Sequence, residues 1–303
     1  MAPFRLATRG SPLARWQAEH VMSLLRTAHP GLVIELVLVT TTGDRMASLP
    51  IGEIGGQGVF VHEVQASVLA GQADAAVHSA KDLPPVPPLG LRLAAVPRRD
   101  DPRDALVGST LDDLLPGAVV ATGSQRRRAQ LAWLRPDLAF TGLRGNIGTR
   151  LSKIPAGGAI VVALAALCRL GLEPSPLQVL ATDLMLPQVG QGALAVECRA
   201  DDARAMALVS RIDDARSHRA VDAERAFLAT IGGGCDLPVA AWASAFDGGR
   251  RLQLEGLIAS PDGATLVRRG DNGPAADPAA LGSRVAEMVL AAGGRAVLAA
   301  VAR

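Results

Sequence analysis

The chain has no tyrosine, five phenylalanines and three tryptophans, so aromatic residues make up 3% of its 303 residues. Binding to single-stranded nucleic acid uses aromatic platforms for base stacking, and this sequence has too few to build them. Lysine is almost missing as well: Lys81 and Lys153 are the only two among 31 basic residues. Three cysteines (Cys168, Cys198 and Cys235) cannot all pair, and their long spacings fit no metal motif. The five histidines (His20, His29, His62, His78 and His218) include no i,i+4 pair, so no metal is expected. No apolar run reaches about 18 residues, and Met1–Leu6 contains no apolar signal core. These absences point to a cytoplasmic protein with neither a membrane nor a nucleic-acid partner.

The sequence is 49% hydrophobic and 20% charged with a formal net charge of +2. That composition buries sizeable cores, and the length calls for two or three domains. The first two thirds alternate strand-like and helix-like segments. Phe4–Thr8 reads as a strand, and Ser11-Pro12 as a cap and first-turn proline opening a helix. Ala14, Ala18, Val21, Leu25 and Ala28 form its apolar stripe, which stops at His29-Pro30-Gly31. Further strands are predicted at 33–40, 73–78, 91–96, 118–122, 138–142 and 159–163, with a helical pattern over 59–70. This rhythm predicts an α/β fold with parallel strands. Residues 83–104 carry six prolines and read as a rigid crossing between domains. After about Arg211 a helix, alternating strands and a final helix near 279–292 predict an α+β domain. No internal repeat is evident.

Charge is concentrated rather than spread. Between Gly123 and Arg150 lie six arginines (Arg126, Arg127, Arg128, Arg135, Arg144 and Arg150) against one acid, Asp137. Arginine holds carboxylate or phosphate bidentately and stays charged in any pocket. Taken alone, the Arg126–Arg128 run reads equally as a solvated helix face. Its position argues for more: Ser124 caps a predicted helix, which puts Arg126 and Arg127 at the positive end of the dipole, where an anion is needed. Arg9 and Ser11 flank Gly10 at another strand-to-helix turn, and Arg144–Arg150 repeats the theme. Together these segments describe a cleft for a ligand bearing several carboxylates or phosphates. Asp82, beside Lys81 at the end of an apolar run, is either a turn aspartate before Leu83-Pro84-Pro85 or an acid stabilising a developing cation. Cys235, after three glycines, can reach outward as an anchor or nucleophile, whereas Cys168 and Cys198 read as packing.

These segments, in order, resemble the porphobilinogen deaminase family over nearly the whole chain. The resemblance rests on LATRGSPLA (6–14), TTGD (41–44), AVHSAKDLP (76–84), DPRDAL (101–106), GSQRRRAQL (123–131), LRGNIGTRLSK (143–153), LPQVGQGALAVECR (186–199) and ERAF…GGGCDLP (224–238). It implies two periplasmic-binding-protein-like α/β domains (1–97 with 192–211, and 98–191) plus a smaller C-terminal α+β domain (212–303). It implies a dipyrromethane cofactor bound as a thioether to Cys235, and a transferase that adds four porphobilinogen units to that primer with loss of ammonia. The linear tetrapyrrole is then released by hydrolysis, the protein acting as a monomer. Asp82 takes the place of the catalytic acid. Asp44, Lys81, Ser124, Arg126, Arg127 and Arg144 take the cofactor positions, and Arg9, Ser11, Arg150 and Arg169 those holding substrate side chains. The chain departs from the family's usual residues at Gln57, His62 and Gln125.

Overall fold

The computed structural model describes residues 2–45, 58, 60–232 and 237–301. The chain runs through β1 (Phe4–Arg9), α1 (Pro12–Ala28), β2 (Ile34–Val39), α2 (His62–Leu69), β3 (Ala75–Ser79) and β4 (Leu91–Ala95) before crossing to a second sheet. There it forms β5 (Asp104–Val107), β6 (Val119–Ala121), α3 (Gln125–Leu134), β7 (Ala139–Thr141), α4 (Ile147–Leu151), β8 (Ala159–Ala163), α5 (Leu164–Arg169) and β9 (Leu177–Leu180). It comes back as β10 (Leu194–Arg199) and α6 (Ala203–Val209). A third unit follows, with α7 (Ala215–Ile231), β11 (Val239–Phe246), β12 (Arg251–Ala259), β13 (Leu266–Pro274), α8 (Pro278–Val289) and α9 (Arg295–Val301).

Local signals account for many of these boundaries. The Ser11 hydroxyl accepts from Ala14 N at 3.3 Å and Pro12 sits in the first turn, so α1 starts where its missing N–H costs nothing. Ala14, Ala18, Val21 and Leu25 are buried against the first sheet with Phe4, Leu6 and Val77, giving the helix its inward face. In the second unit, Val107, Ile160, Val162 and Leu167 form the equivalent core.

The first sheet has the order β2-β1-β3-β10-β4 and the second β7-β6-β8-β5-β9. Neither is purely parallel, which corrects the sequence expectation. β1 runs parallel to β2 and β3, but β10 is antiparallel to β3 and β4; β6 runs parallel to β7 and β8, but β5 is antiparallel to β8 and β9. Both odd strands arrive directly from the other sheet. They lack the helical crossover that forces a parallel return. The two sheets thus share one plan, a repeat of topology that left no trace in the sequence.

The third unit is an antiparallel meander, β11-β12-β13, covered by α7 and α8. Phe227 is wholly buried there with Leu252, Leu254 and Val285, worth about 1.5–3 kcal/mol for the phenyl ring alone. At Gly282 an added Cβ would lie 2.2 Å from Ala223 O, so α8 packs on α7 only with glycine at that position.

All three units meet at a buried polar network. Glu224 of α7, fully buried, accepts from Arg99 Nη1 (2.5 Å), Gly190 N (2.6 Å) and Ala243 N (2.9 Å). Arg99 Nε also donates to Gln191 O at 2.8 Å, and Gln191 Nε2 donates to Asp104 Oδ1 at 2.9 Å. One carboxylate therefore holds both crossing segments, 96–103 and 181–193, against the third unit.

Candidate active site

Asp82 follows β3 in a tight turn, Ala80–Asp82, at the carboxyl end of the strand, where open α/β sheets place their ligands. Ala80 N donates to Ala193 O at 3.0 Å, tying the turn to the segment that leads into β10. Gly190 (φ +71°), three residues earlier in the same segment, presses on it as well: a Cβ there would lie 2.8 Å from Ala80 C and 2.9 Å from Lys81 N. The position of Asp82 is thus set by the connection that returns the chain to the first sheet. Its half-buried carboxylate accepts no hydrogen bond from any described residue.

One hollow brings Asp82 together with Arg9, Ser11 and Phe60. The Arg9 guanidinium lies over the Phe60 ring, 4.2 Å from its centroid, which fixes the plane of the cation at the end of β1. A second hollow, lined by Lys81, Ser124, Arg126, Gln188, Arg225 and Leu237 among others, opens on the other side of the turn. Lys81 faces one hollow and Asp82 the other.

Ser124 caps α3 as the sequence predicts, its hydroxyl accepting from Arg127 N at 3.4 Å. Arg126 and Arg127 do lie in the first turn of that helix, but the anion beside them is the protein's own. Asp104, the first residue of β5 and fully buried, accepts from Arg127 Nε (3.0 Å) and Nη2 (2.7 Å) through Oδ1. Its Oδ2 lies 2.8 Å from Arg126 Nη1, which also donates to Leu186 O at 2.8 Å. Burial would raise the Asp104 pKa, but the charges of Arg126 and Arg127 prevail and hold it far below the usual carboxylate range. One carboxylate does not use up two guanidinium groups. Arg126 Nε and Nη2 remain buried without a hydrogen-bond partner.

On α4, Arg150 Nε donates to Gly145 O at 2.8 Å, folding the side chain back over the Arg144–Gly145 turn. Burial, with Arg127 and Arg144 close by, pulls Arg150 down to about 10, and Asp82 opposes the shift. Burial and the charge of Arg127 pull Lys81 down to about 8, against Asp82 and Asp104. Asp82, Lys81, Arg127, Arg144 and Arg150 therefore share one field. Among these described residues the field is strongly positive, and Asp82 is its one carboxylate without a hydrogen-bond donor.

Other expected residues fall elsewhere. Arg169 at the end of α5 donates to Asp100 Oδ2 (2.9 Å) and Gly192 O (2.7 Å) and lies 5.8 Å from the Trp16 ring centroid, so it braces the crossing segments. Asp44 is on a short helical turn, Thr42–Arg45, with its side chain outside the described residues. Cys235 and Gln57 also lie outside them. Cys168 is exposed on α5, not packed as its apolar run suggests, because neighbouring Ala166, Leu167 and Arg169 take the inward positions. Asp104, Gln191 and Glu224 were not singled out from the sequence. The DPRDAL segment carried the signal for Asp104, but its partners are more than twenty residues away and no local pattern pairs them.

Asp104→Asn is expected to destabilise the fold by about 3–5 kcal/mol, since it leaves two buried guanidinium groups without a counter-charge. The Asp104 pKa is depressed on folding, so its contribution is complete above the unfolded value near 4 and lost only as pH falls through the folded value. Urea unfolding should therefore show a constant penalty from about pH 5 to 8.

Comparison with solved structures finds regulatory and effector-binding domains at low identity. The OxyR regulatory domain from Pseudomonas aeruginosa is 13% identical, with a TM-score of 0.39 over 69% of this chain and 96% of that one. YhfZ from Shigella flexneri is 17% identical, with a TM-score of 0.37 over 78% and 99%. The BenM effector-binding domain with benzoate is 15% identical, with a TM-score of 0.40 over 68% and 88%. Far more specific are two sequence-family matches. Residues 4–207 match the dipyrromethane cofactor binding domain of porphobilinogen deaminase, and residues 218–291 match that enzyme's C-terminal domain. With both parts of the sequence matched in order, over residues 4–207 and 218–291, the chain belongs to the porphobilinogen deaminase family.

Proposed function

We propose that the cleft around Asp82 performs the family's reaction as a transferase, condensing four porphobilinogen units head to tail and releasing hydroxymethylbilane by hydrolysis. The observation that carries this reading is one short turn that presents Asp82 to a hollow beside Arg9 and Lys81 to a second hollow beside Arg126, which keeps two buried N–H donors unpaired. Buried donors of that kind call for an acceptor. The acetate and propionate groups of pyrrole rings supply several, so the residues present fit a dipyrromethane. When bound, that cofactor supplies the free pyrrole α-carbon to which the first substrate unit is joined.

The protein's residues then have separate tasks. Arg9, Ser11 and Arg150 are assigned to substrate carboxylates, and Lys81, Ser124, Arg126, Arg127, Arg144 and Asp44 to the cofactor side, with Cys235 as the thioether anchor; Arg169, held by Asp100 and Gly192 O, is left to brace the crossing segments. Asp82 faces the aminomethyl group. As the C–N bond breaks and ammonia leaves, a cation develops on the substrate, and the Asp82 carboxylate stabilises it. Asp82 would also take up the proton released when a substrate unit is joined to the primer and pass it to solvent, which returns the carboxylate to its charged form for the next unit. We assign residues 1–97 with 192–211, 98–191 and 212–303 to three domains, with the cleft between the first two. The described residues assigned to the cleft all come from one chain, in keeping with a monomer. No helix among the described residues is long and apolar enough to cross a membrane, in keeping with a cytoplasmic enzyme.

The test is direct. Incubated with limiting porphobilinogen, the protein should release ammonia, and its intact mass should rise in steps of one deaminated substrate unit. No ammonia and no added mass would reject the reading.

A further inference from the structure

The hollow on the Lys81 side of the catalytic turn has a wall to which no role has yet been given. Arg225, on α7 of the third unit, is 7% exposed and lines this hollow together with Lys81, Ser124 and Arg126. Its Nη1 is buried with no hydrogen-bond partner, and no ion pair reaches it from any described residue. The adjacent acid, Glu224, offers no help, because both its oxygens are taken by Arg99, Gly190 and Ala243. A buried guanidinium without an acceptor is expensive and asks for an anion. Arg126, across the hollow, has the same deficit at Nε and Nη2.

The remaining lining gives the ligand's shape. Leu228, Leu237 and Val239 present an apolar surface from the third unit, suited to a flat ring whose charged substituents turn toward the arginines. Leu237 is two residues from Cys235 in the chain, so the sequence itself ties the proposed anchor to this wall. We infer that Arg225 binds a carboxylate of the pyrrole ring nearest the anchor, closing the cofactor site from the third unit opposite Arg126. This inference rests on the proposed cofactor at Cys235.

A purely structural role is the competing explanation. Glu197 keeps one oxygen unpaired while the other accepts from Gln65 Nε2 at 2.8 Å and lies 3.3 Å from His78 Nε2, and Arg225 is among the charges acting on it. If Arg225 served only to balance Glu197, its loss would weaken the apoprotein and leave the gain on cofactor assembly unchanged.

The experiment compares wild type, Arg225→Gln and Arg225→Lys, each prepared as apoprotein and reconstituted with porphobilinogen. Intact mass follows covalent assembly, and thermal melting is recorded before and after it. We expect apo Arg225→Gln to melt close to the wild-type apoprotein. It should assemble the cofactor at least tenfold more slowly and gain less than half the wild-type rise in melting temperature, with Arg225→Lys in between. An unchanged assembly rate and an unchanged rise would overturn the inference, as would a weakened apoprotein with a full rise. If wild type itself gains no cofactor mass, the reading beneath the inference fails with it, a result distinct from a wild-type holoenzyme matched by Arg225→Gln.

Discussion

Asp82→Ala is expected to lower the rate of porphobilinogen consumption by about four orders of magnitude or more while leaving the fold and any covalent cofactor in place. The size follows from two effects lost together: proton transfer by a positioned group, typically worth about 10²–10⁴-fold, and stabilisation of the developing charge, worth about 3–4 kcal/mol for one well-aimed group. The fold should survive because Asp82 is half-buried and holds no described donor, so its removal strands no hydrogen-bond partner. Its neighbours sharpen the effect. Lys81, Arg127 and Arg150 stabilise carboxylates but oppose any cation, so a substrate cation among them depends on one negative charge. The measurement is single-turnover ammonia release, with Asp82→Glu as the variant that keeps the charge and part of the rate. Near-normal release by Asp82→Ala would remove this residue from the chemistry.

Cys235→Ser is expected to abolish covalent cofactor altogether, seen as a bare polypeptide mass after incubation with porphobilinogen. A serine hydroxyl stays protonated where a thiol yields the nucleophilic thiolate. The other two cysteines make the test clean. Cys198 is buried in β10, where burial pushes its thiol up to about 12, so it supplies almost no thiolate at neutral pH. Cys168 is exposed on α5 and is the rival anchor, so Cys168→Ser serves as the control that should keep the full cofactor mass. An adduct retained by Cys235→Ser and lost from Cys168→Ser would move the anchor to the second unit.

Much of the architecture was legible because its causes are local. The cap at Ser11, the proline at the first turn and the apolar stripe of α1 are encoded within a few residues, and the structure has that helix where the pattern puts it. The same holds for Ser124 and the start of α3. β5 was harder to see. Asp104–Val107 is four buried residues following a proline-rich stretch, and its strand identity comes from β8 and β9 on either side of it. β10 was read as part of a motif and not as a strand, for a related reason. It fills the gap between β3 and β4 only because the second crossing brings it there.

The arginine cluster shows the division most clearly. Sequence alone established that cations gather between Gly123 and Arg150, that helix starts would present them, and that the chain belongs with an enzyme handling many carboxylates. Those are properties of composition, spacing and motif, all readable along one dimension. Tertiary structure alone decided that Asp104 neutralises part of the charge on Arg126 and Arg127, that Arg169 braces the crossing segments, and that Arg225 brings an unpaired guanidinium from the third unit. Such pairings join residues far apart in the chain. Their energies depend on distance and on exclusion from water, and both exist only once the three units have packed together.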